Sequence, residues 1–226
     1  MIPLRDNIRS HTFPFITILL IIVNFYIFYQ ELLLSNHVLN RVIARYGLVP
    51  AKFLQAFHAA SSSPSTYLPL FSNLFLHGGW LHIIGNMWYL WIFADNIEDC
   101  LGHLGFLAFY LASGLVANLA QVLVDPTSTV PTIGASGAVS GVLGAYFVCY
   151  PWARISTLIP LIFLFPIVEI PAIAFLGFWF LLQLEHGTSP FFAGASIAWW
   201  AHIGGFVWGM LLALFFRPKR RQKPAA

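Results

Sequence analysis

The chain has 226 residues, 59% hydrophobic and only 8% charged, with a formal net charge of +3 and a mean hydropathy of +0.79. Soluble domains carry roughly 25% charged residues, so the composition excludes an ordinary soluble domain, and the apolar stretches are too long and too many for one secretory signal. Arg217, Lys219, Arg220, Arg221 and Lys223 crowd in directly after an apolar segment, which points to a cytoplasmic membrane anchor and not to nucleic acid. Two cysteines, Cys100 and Cys149, provide neither a disulfide framework nor a four-ligand zinc site.

In chain order, residues 1–13 form a short polar lead with Arg5 and Arg9. Residues 14–34 are apolar for long enough to cross a hydrocarbon core of roughly 30 Å and make the first predicted span. Residues 35–76 break the pattern with Arg41, Arg45, Lys52 and three prolines. Helical spacing of Phe53, Leu54 and Phe57 predicts short amphipathic helices lying at the interface. The second span is 80–97, ending in Asp95, Glu98 and Asp99; the third is 101–124, stopped by Asp125-Pro126. The fourth is 133–150, closed by Pro151. Residues 151–166, with Arg154 and three prolines, read as an inner loop. The fifth span is 170–185, with Glu169 placed to help cap it, and the sixth is 197–216.

These elements predict an all-α, polytopic bundle of six transmembrane helices forming one domain over residues 1–226. Six spans put both termini on one side. The termini and the 151–166 loop hold eight of the eleven Lys and Arg residues, so that side is expected to be the cytoplasm.

Spans two, four and six then all run inward, and their starts meet at the outer leaflet. His82, Ser136 and His202 lie near those three starts. Gly137-x-x-x-Gly141 and Gly205-x-x-x-Gly209 have close-approach spacing, and His202 shares a helical face with Gly205 and Gly209. Contact between the glycine faces would bring His202 against Ser136, with a hydrogen bond of roughly 2.6–3.2 Å that is looser without substrate. A serine needs a base in reach to act as a nucleophile, and a neutral imidazole is the usual one. No carboxylate lies at matching depth, so the pattern predicts a Ser-His dyad and not a triad. Ser136 sits at a helix start, where free backbone N–H groups favour negative charge. His82 and Asn86, at i and i+4, share one face and could complete an oxyanion hole. His77 reads as interfacial or structural, and Asn24, Asn118 and Gln121 as interhelical hydrogen bonders. Three histidines without a carboxylate or a His-Glu-x-x-His motif make a poor metal site, so neither metal nor cofactor is expected.

The segments His77–Asn86, Gly134-Ala135-Ser136-Gly137 and Ala201–Gly209 together resemble the rhomboid intramembrane serine proteases of the bacterial six-span type. They fit that family's His-x-x-x-Asn, Gly-x-Ser-Gly and Ala-His-x-x-Gly-x-x-x-Gly pattern in order. The resemblance implies a serine endopeptidase cutting single-span membrane proteins near the outer face of a bacterial inner membrane. Ser136 would be the nucleophile and His202 the general base, then acid. The Ser136 N–H, His82 and Asn86 would bind the oxyanion, and span five with loop 186–196 would serve as gate and cap. A catalytically silent relative that binds membrane clients is the alternative. The chain departs from the family twice. No Trp occurs in 35–76, where members carry a Trp-Arg pair, and Ser140 stands where many have a Tyr stacked on the histidine. Support for the His202 ring must then come from elsewhere, or the ring is held more loosely.

Overall fold

Helix–helix packing in an apolar medium has no hydrophobic drive of its own and depends on how closely backbones can approach. In the computed structural model, which describes residues 1–161, 165–189, 191 and 197–216, that approach is closest between α8 (Ser136–Cys149) and α10 (Trp199–Phe216). A Cβ on Gly209 would overlap the Gly141 carbonyl, one on Gly205 the Gly137 carbonyl, and one on Gly144 the Phe206 carbonyl. The two glycine faces meet as their spacing predicts. Helix α8 also packs against α6 (Trp80–Leu101), α7 (His103–Val124) and α9 (Ala172–Thr188), and its residues from Gly137 to Tyr146 are all buried. α1 (Phe15–Leu32) lies on α6.

The fold is mostly helical. Among the described residues three helices are long and apolar enough to cross a membrane: Phe15–Leu32, His103–Val124 and Trp199–Phe216. α8 has 14 residues and α9 has 17, while α6 carries three carboxylates near its end. Large apolar side chains such as Ile22, Leu81, Trp91, Leu104, Leu123, Leu181 and Leu214 stay exposed around the bundle, the surface expected of a protein solvated by lipid.

Residues 35–76 do fold as short helices: α2 (Asn36–Tyr46), α3 (Pro50–His58), α4 (Pro64–Tyr67), α5 (Pro69–Ser72) and a 3₁₀ turn at Asn73–Phe75. The strictly all-α expectation is corrected by a three-stranded antiparallel sheet. Its strands are β1 (Ile2–Asp6), β2 (Arg154–Leu158) and β3 (Ile167–Pro171), in that spatial order. The polar lead and the inner loop are therefore partners. In β2, Ile155 and Thr157 face inward and Arg154 outward, a period of two that the flanking prolines obscure. Glu169 lies in β3 opposite Ser156 and diagonal to exposed Arg154, with 3.9 Å between the charged atoms, instead of capping a helix. The N-terminus of α9 is held by backbone bonds from Ala172 and Ile173 to the Ala153 and Pro151 carbonyls, at 2.7 and 2.9 Å.

The carboxylates ending α6 do more than polarise a helix end. Glu98 is fully buried and accepts from the Ile16 and Thr17 N–H groups (2.8 Å each), from the Thr17 hydroxyl (2.7 Å) and at 2.6 Å from His103 Nδ1. It thereby satisfies the free donors of the α1 start. Asp99 accepts from the His11 and Thr12 N–H groups just upstream. Asn24, expected to bridge helices, instead donates to Leu20 in its own helix, at 2.8 Å. The basic residues 217–223 lie outside the described residues.

Asp6 ends β1 half-buried, accepting from the Tyr146 hydroxyl and from Asn96 Nδ2 at 3.0 Å. Burial raises its pKa to about 7, against the opposing pull of the Tyr146 hydrogen bond. With the folded value above the unfolded one, the folded state holds the extra proton, and the stability this confers is lost as pH rises through about 7. The melting temperature in detergent should fall between about pH 5 and pH 8, and Asp6→Asn should flatten that slope. Two glycine substitutions should separate packing from helix propensity in the same assay. Gly209→Ala should cost at least about 1–3 kcal/mol, because only backbone movement can relieve the overlap with α8. Gly85→Ala, with nothing within 4 Å of the new Cβ, should gain about 0.5–1 kcal/mol.

Candidate active site

The loop entering α8 is fixed before the helix begins. Leu48 and Thr132 exchange backbone hydrogen bonds at 3.0 and 2.7 Å, and the Gly134 N–H donates to the Asn73 carbonyl at 2.8 Å. Asn73 is held in turn by a reciprocal amide pair with Asn118, 2.9 Å in both directions. Asn118 is thus a bridging residue as expected, with its partner in the 3₁₀ turn and not in another span. Gly134 has a φ of +116°, which favours glycine, and the chain then turns into α8 at Ser136. The first-turn N–H groups of α8 have no intrahelical partner, and no side chain caps them. Ser140 donates its hydroxyl back to the Ser136 carbonyl at 2.7 Å and so serves its own helix.

Helix α6 brings His82 and Asn86 onto this loop. A Cβ on Gly134 would run into His82 Nε2, stand 2.7 Å from His82 Cε1 and lie 3.5 Å from Asn86 Nδ2. The Gly78 N–H donates to His82 Nδ1 at 3.4 Å. A neutral His82 bonded this way carries its proton on Nε2, the atom facing Gly134. His77, read from sequence as interfacial or structural, is buried and lies 3.1 Å from Asn86 Nδ2 through its Nε2, a structural placement. Burial, aided by the neighbouring His82, pushes the His77 pKa down to about 3. A neutral His77 accepting from Asn86 turns the Asn86 amide so that its NH₂ end faces the loop. The only hint of this in the sequence is that His77 and Asn86 fall in one short segment on either side of a helix start.

Helix α10 brings His202 to the same place. The Cβ position of Gly137 lies 3.8 Å from Ala201 Cβ, so the neighbour of Ser136 faces the neighbour of His202. Among the described residues no hydrogen bond joins Ser136 to His202. Instead His202 Nδ1 lies 2.9 Å from Gln183 Oε1 on α9. Two indoles flank the imidazole: Trp179 at 6.2 Å between ring centroids and Trp199, edge-on, at 6.0 Å. The ring support missing at Ser140 is supplied by these three residues. Sequence reasoning passed over Gln183, whose only signal is that it is the one amide in an apolar helix.

A membrane protein whose buried, uncapped helix start gathers a serine, two histidines and an asparagine is the class that this fold and site define. The chain belongs to the rhomboid family: a family model for the Rhomboid domain matches residues 64–219. It is similar to Presenilin-associated rhomboid-like protein A, mitochondrial, of Danio rerio, with 30% identity over 182 residues, 76% of this chain and 44% of that protein. It is also similar to Rhomboid protein 1, mitochondrial, of Saccharomyces cerevisiae, at 27% identity over 76% of this chain and 49% of the relative. RHOMBOID-like protein 5 of Arabidopsis thaliana is 40% identical over 76 residues, 34% of this chain and 25% of that one. The chain therefore spans about half or less of the length of these relatives. It is an integral membrane protein.

Gly134→Ala should distort this site, since the new Cβ combines a disfavoured φ with the clash against His82. A loss of about 1–3 kcal/mol is expected from backbone strain alone, read as a lowered melting temperature in detergent.

Proposed function

We propose that the chain is an intramembrane serine endopeptidase that hydrolyses peptide bonds of single-span transmembrane proteins near the outer membrane face, using a Ser136–His202 dyad. The observation that carries this reading is the convergence at the start of α8. Ser136 follows a loop against which His82 and Asn86 are packed, and its neighbour Gly137 faces Ala201, the neighbour of His202. Ser136 would attack the scissile carbonyl while His202 Nε2 takes its proton and later passes it to the leaving amine. The Ser136 N–H, the His82 Nε2–H and the Asn86 amide would receive the oxyanion. The approach of Ser136 to His202 would tighten when substrate fills the site.

The same reading takes α1, α6, α7, α8, α9 and α10 as six crossings of one domain over residues 1–226. The shortness of α8 fits it: at about 1.5 Å per residue its 14 residues cover only about 21 Å, so an extended loop would descend to Ser136 below the surface. Non-helical backbone at that depth is tolerated where protein buries it or a water-filled cavity meets it. The same reading has both ends in the cytoplasm of a bacterial cell; the distribution of Lys and Arg supports the sidedness.

Purified wild-type protein should cleave a model membrane substrate in detergent, and Ser136→Ala and His202→Ala should not. Asn86→Ala should retain a residual rate, about 10²–10³-fold lower, as for loss of one oxyanion donor. Equal cleavage by all four proteins would sink the mechanism. An inactive wild type that still captures membrane clients would favour the silent, client-binding alternative.

A further inference from the structure

We propose that Gln183 is the positioning residue for His202, holding the imidazole with its proton on Nδ1 and its lone pair on Nε2. The proposal rests on the catalytic reading above and adds the group that this dyad otherwise lacks. A base that accepts a proton through Nε2 must carry its own proton on Nδ1, and an acceptor at Nδ1 selects that tautomer. No Asp or Glu faces His202 among the described contacts, yet Gln183 Oε1 stands 2.9 Å from Nδ1. The direction of the amide is fixed independently. Gln183 Nε2 donates to the Trp179 carbonyl one turn earlier, at 3.0 Å, which leaves the oxygen end for the histidine. An amide oxygen cannot donate, so the bond to His202 has one polarity. Gln183 is itself buried, in a helix whose other buried residues are Ala172, Phe175 and Leu176, so its amide has few other partners to turn to. Trp179 serves twice, its carbonyl fixing the amide and its ring lying beside the imidazole. The positioning group comes from α9, while the serine and histidine stand on α8 and α10.

Four proteins and two readouts test this. Nitrogen-15 spectra of histidine-labelled wild type, with the His202 signals assigned by loss in His202→Ala, report which ring nitrogen carries the proton. Wild type should show protonated Nδ1 and bare Nε2. Gln183→Leu should lose that preference. In cleavage assays Gln183→Leu should lower kcat about 10–100-fold, part of what a general base contributes, with KM unchanged. Gln183→Glu keeps the acceptor and should restore most of the lost kcat. Its carboxylate favours a protonated imidazole, so the base becomes neutral only at higher pH and the acid limb of the kcat/KM profile should move upward. A wild-type His202 protonated on Nε2, or a Gln183→Leu protein with unchanged tautomer and kcat, would overturn the proposal. If Gln183→Leu does not fold, the wild-type spectrum and the Gln183→Glu profile decide it. A wild type with the expected spectrum but no cleavage of any substrate would leave the positioning role standing and remove the catalytic reading.

Discussion

Contact between the backbones of α8 and α10 is the constraint on which the rest of the structure depends. Carbonyls of Gly137 and Gly141 lie where side chains of residues 205 and 209 would otherwise be, and the Phe206 carbonyl fills the place of one at 144. Such an interface has no slack in register. A helix rises about 1.5 Å and turns about 100° per residue, so a one-residue slip would bring different faces together. Ser136 precedes the first contacting glycine by one residue, and His202 precedes its counterpart by three. Their nearness is inherited from packing and needs no direct bond between them.

Polar groups in this bundle face a different problem. Each needs a partner, because an unpaired one in a low-dielectric interior is costly. The partner chosen also decides which end of the side chain remains available. Gly78 takes one nitrogen of His82, His77 takes one hydrogen of the Asn86 NH₂ group and leaves the other, and Gln183 takes one nitrogen of His202. Each polar side chain is thereby given a direction. Under the proposed chemistry, donors from α6 and an acceptor from α10 point toward the start of α8, and a neutral His77 keeps that arrangement through mild acid.

Much of this was legible in the sequence for a specific reason. Glycines four apart and a histidine and asparagine four apart share helical faces, and a serine at a helix start is marked by the apolar run that follows it; such local patterns survive without coordinates. The amphipathic helices of residues 36–58 were legible for the same reason. What escaped has no period. Gln183 is a single amide whose meaning depends on a helix that follows it in the chain. Strands β1 and β2 are some 150 residues apart by number and five residues long, so neither shows its partner. His77 stands outside the helix, so the sequence alone leaves it between an interfacial and a structural role, and the turn before α6 folds it inward.

The use of an amide at His202 follows from where the carboxylates are. Buried Glu98 is surrounded by two backbone N–H groups, a hydroxyl and an imidazole at the far end of α6. His82 lies sixteen residues away on that helix, roughly 24 Å at about 1.5 Å per residue, so those acids cannot serve the site. A carboxylate placed beside His202 would have no such ring of donors. It would have to lose its hydration against apolar walls of Trp179, Trp199 and α9, a cost that its attraction to the imidazolium only partly offsets. An amide oxygen avoids that penalty. It still accepts one hydrogen bond and so still selects the tautomer, but it brings no charge to stabilise the imidazolium. The depth of the site therefore favours a weaker orienting group, and the tilt of the imidazole is then set by the two indoles packed beside it.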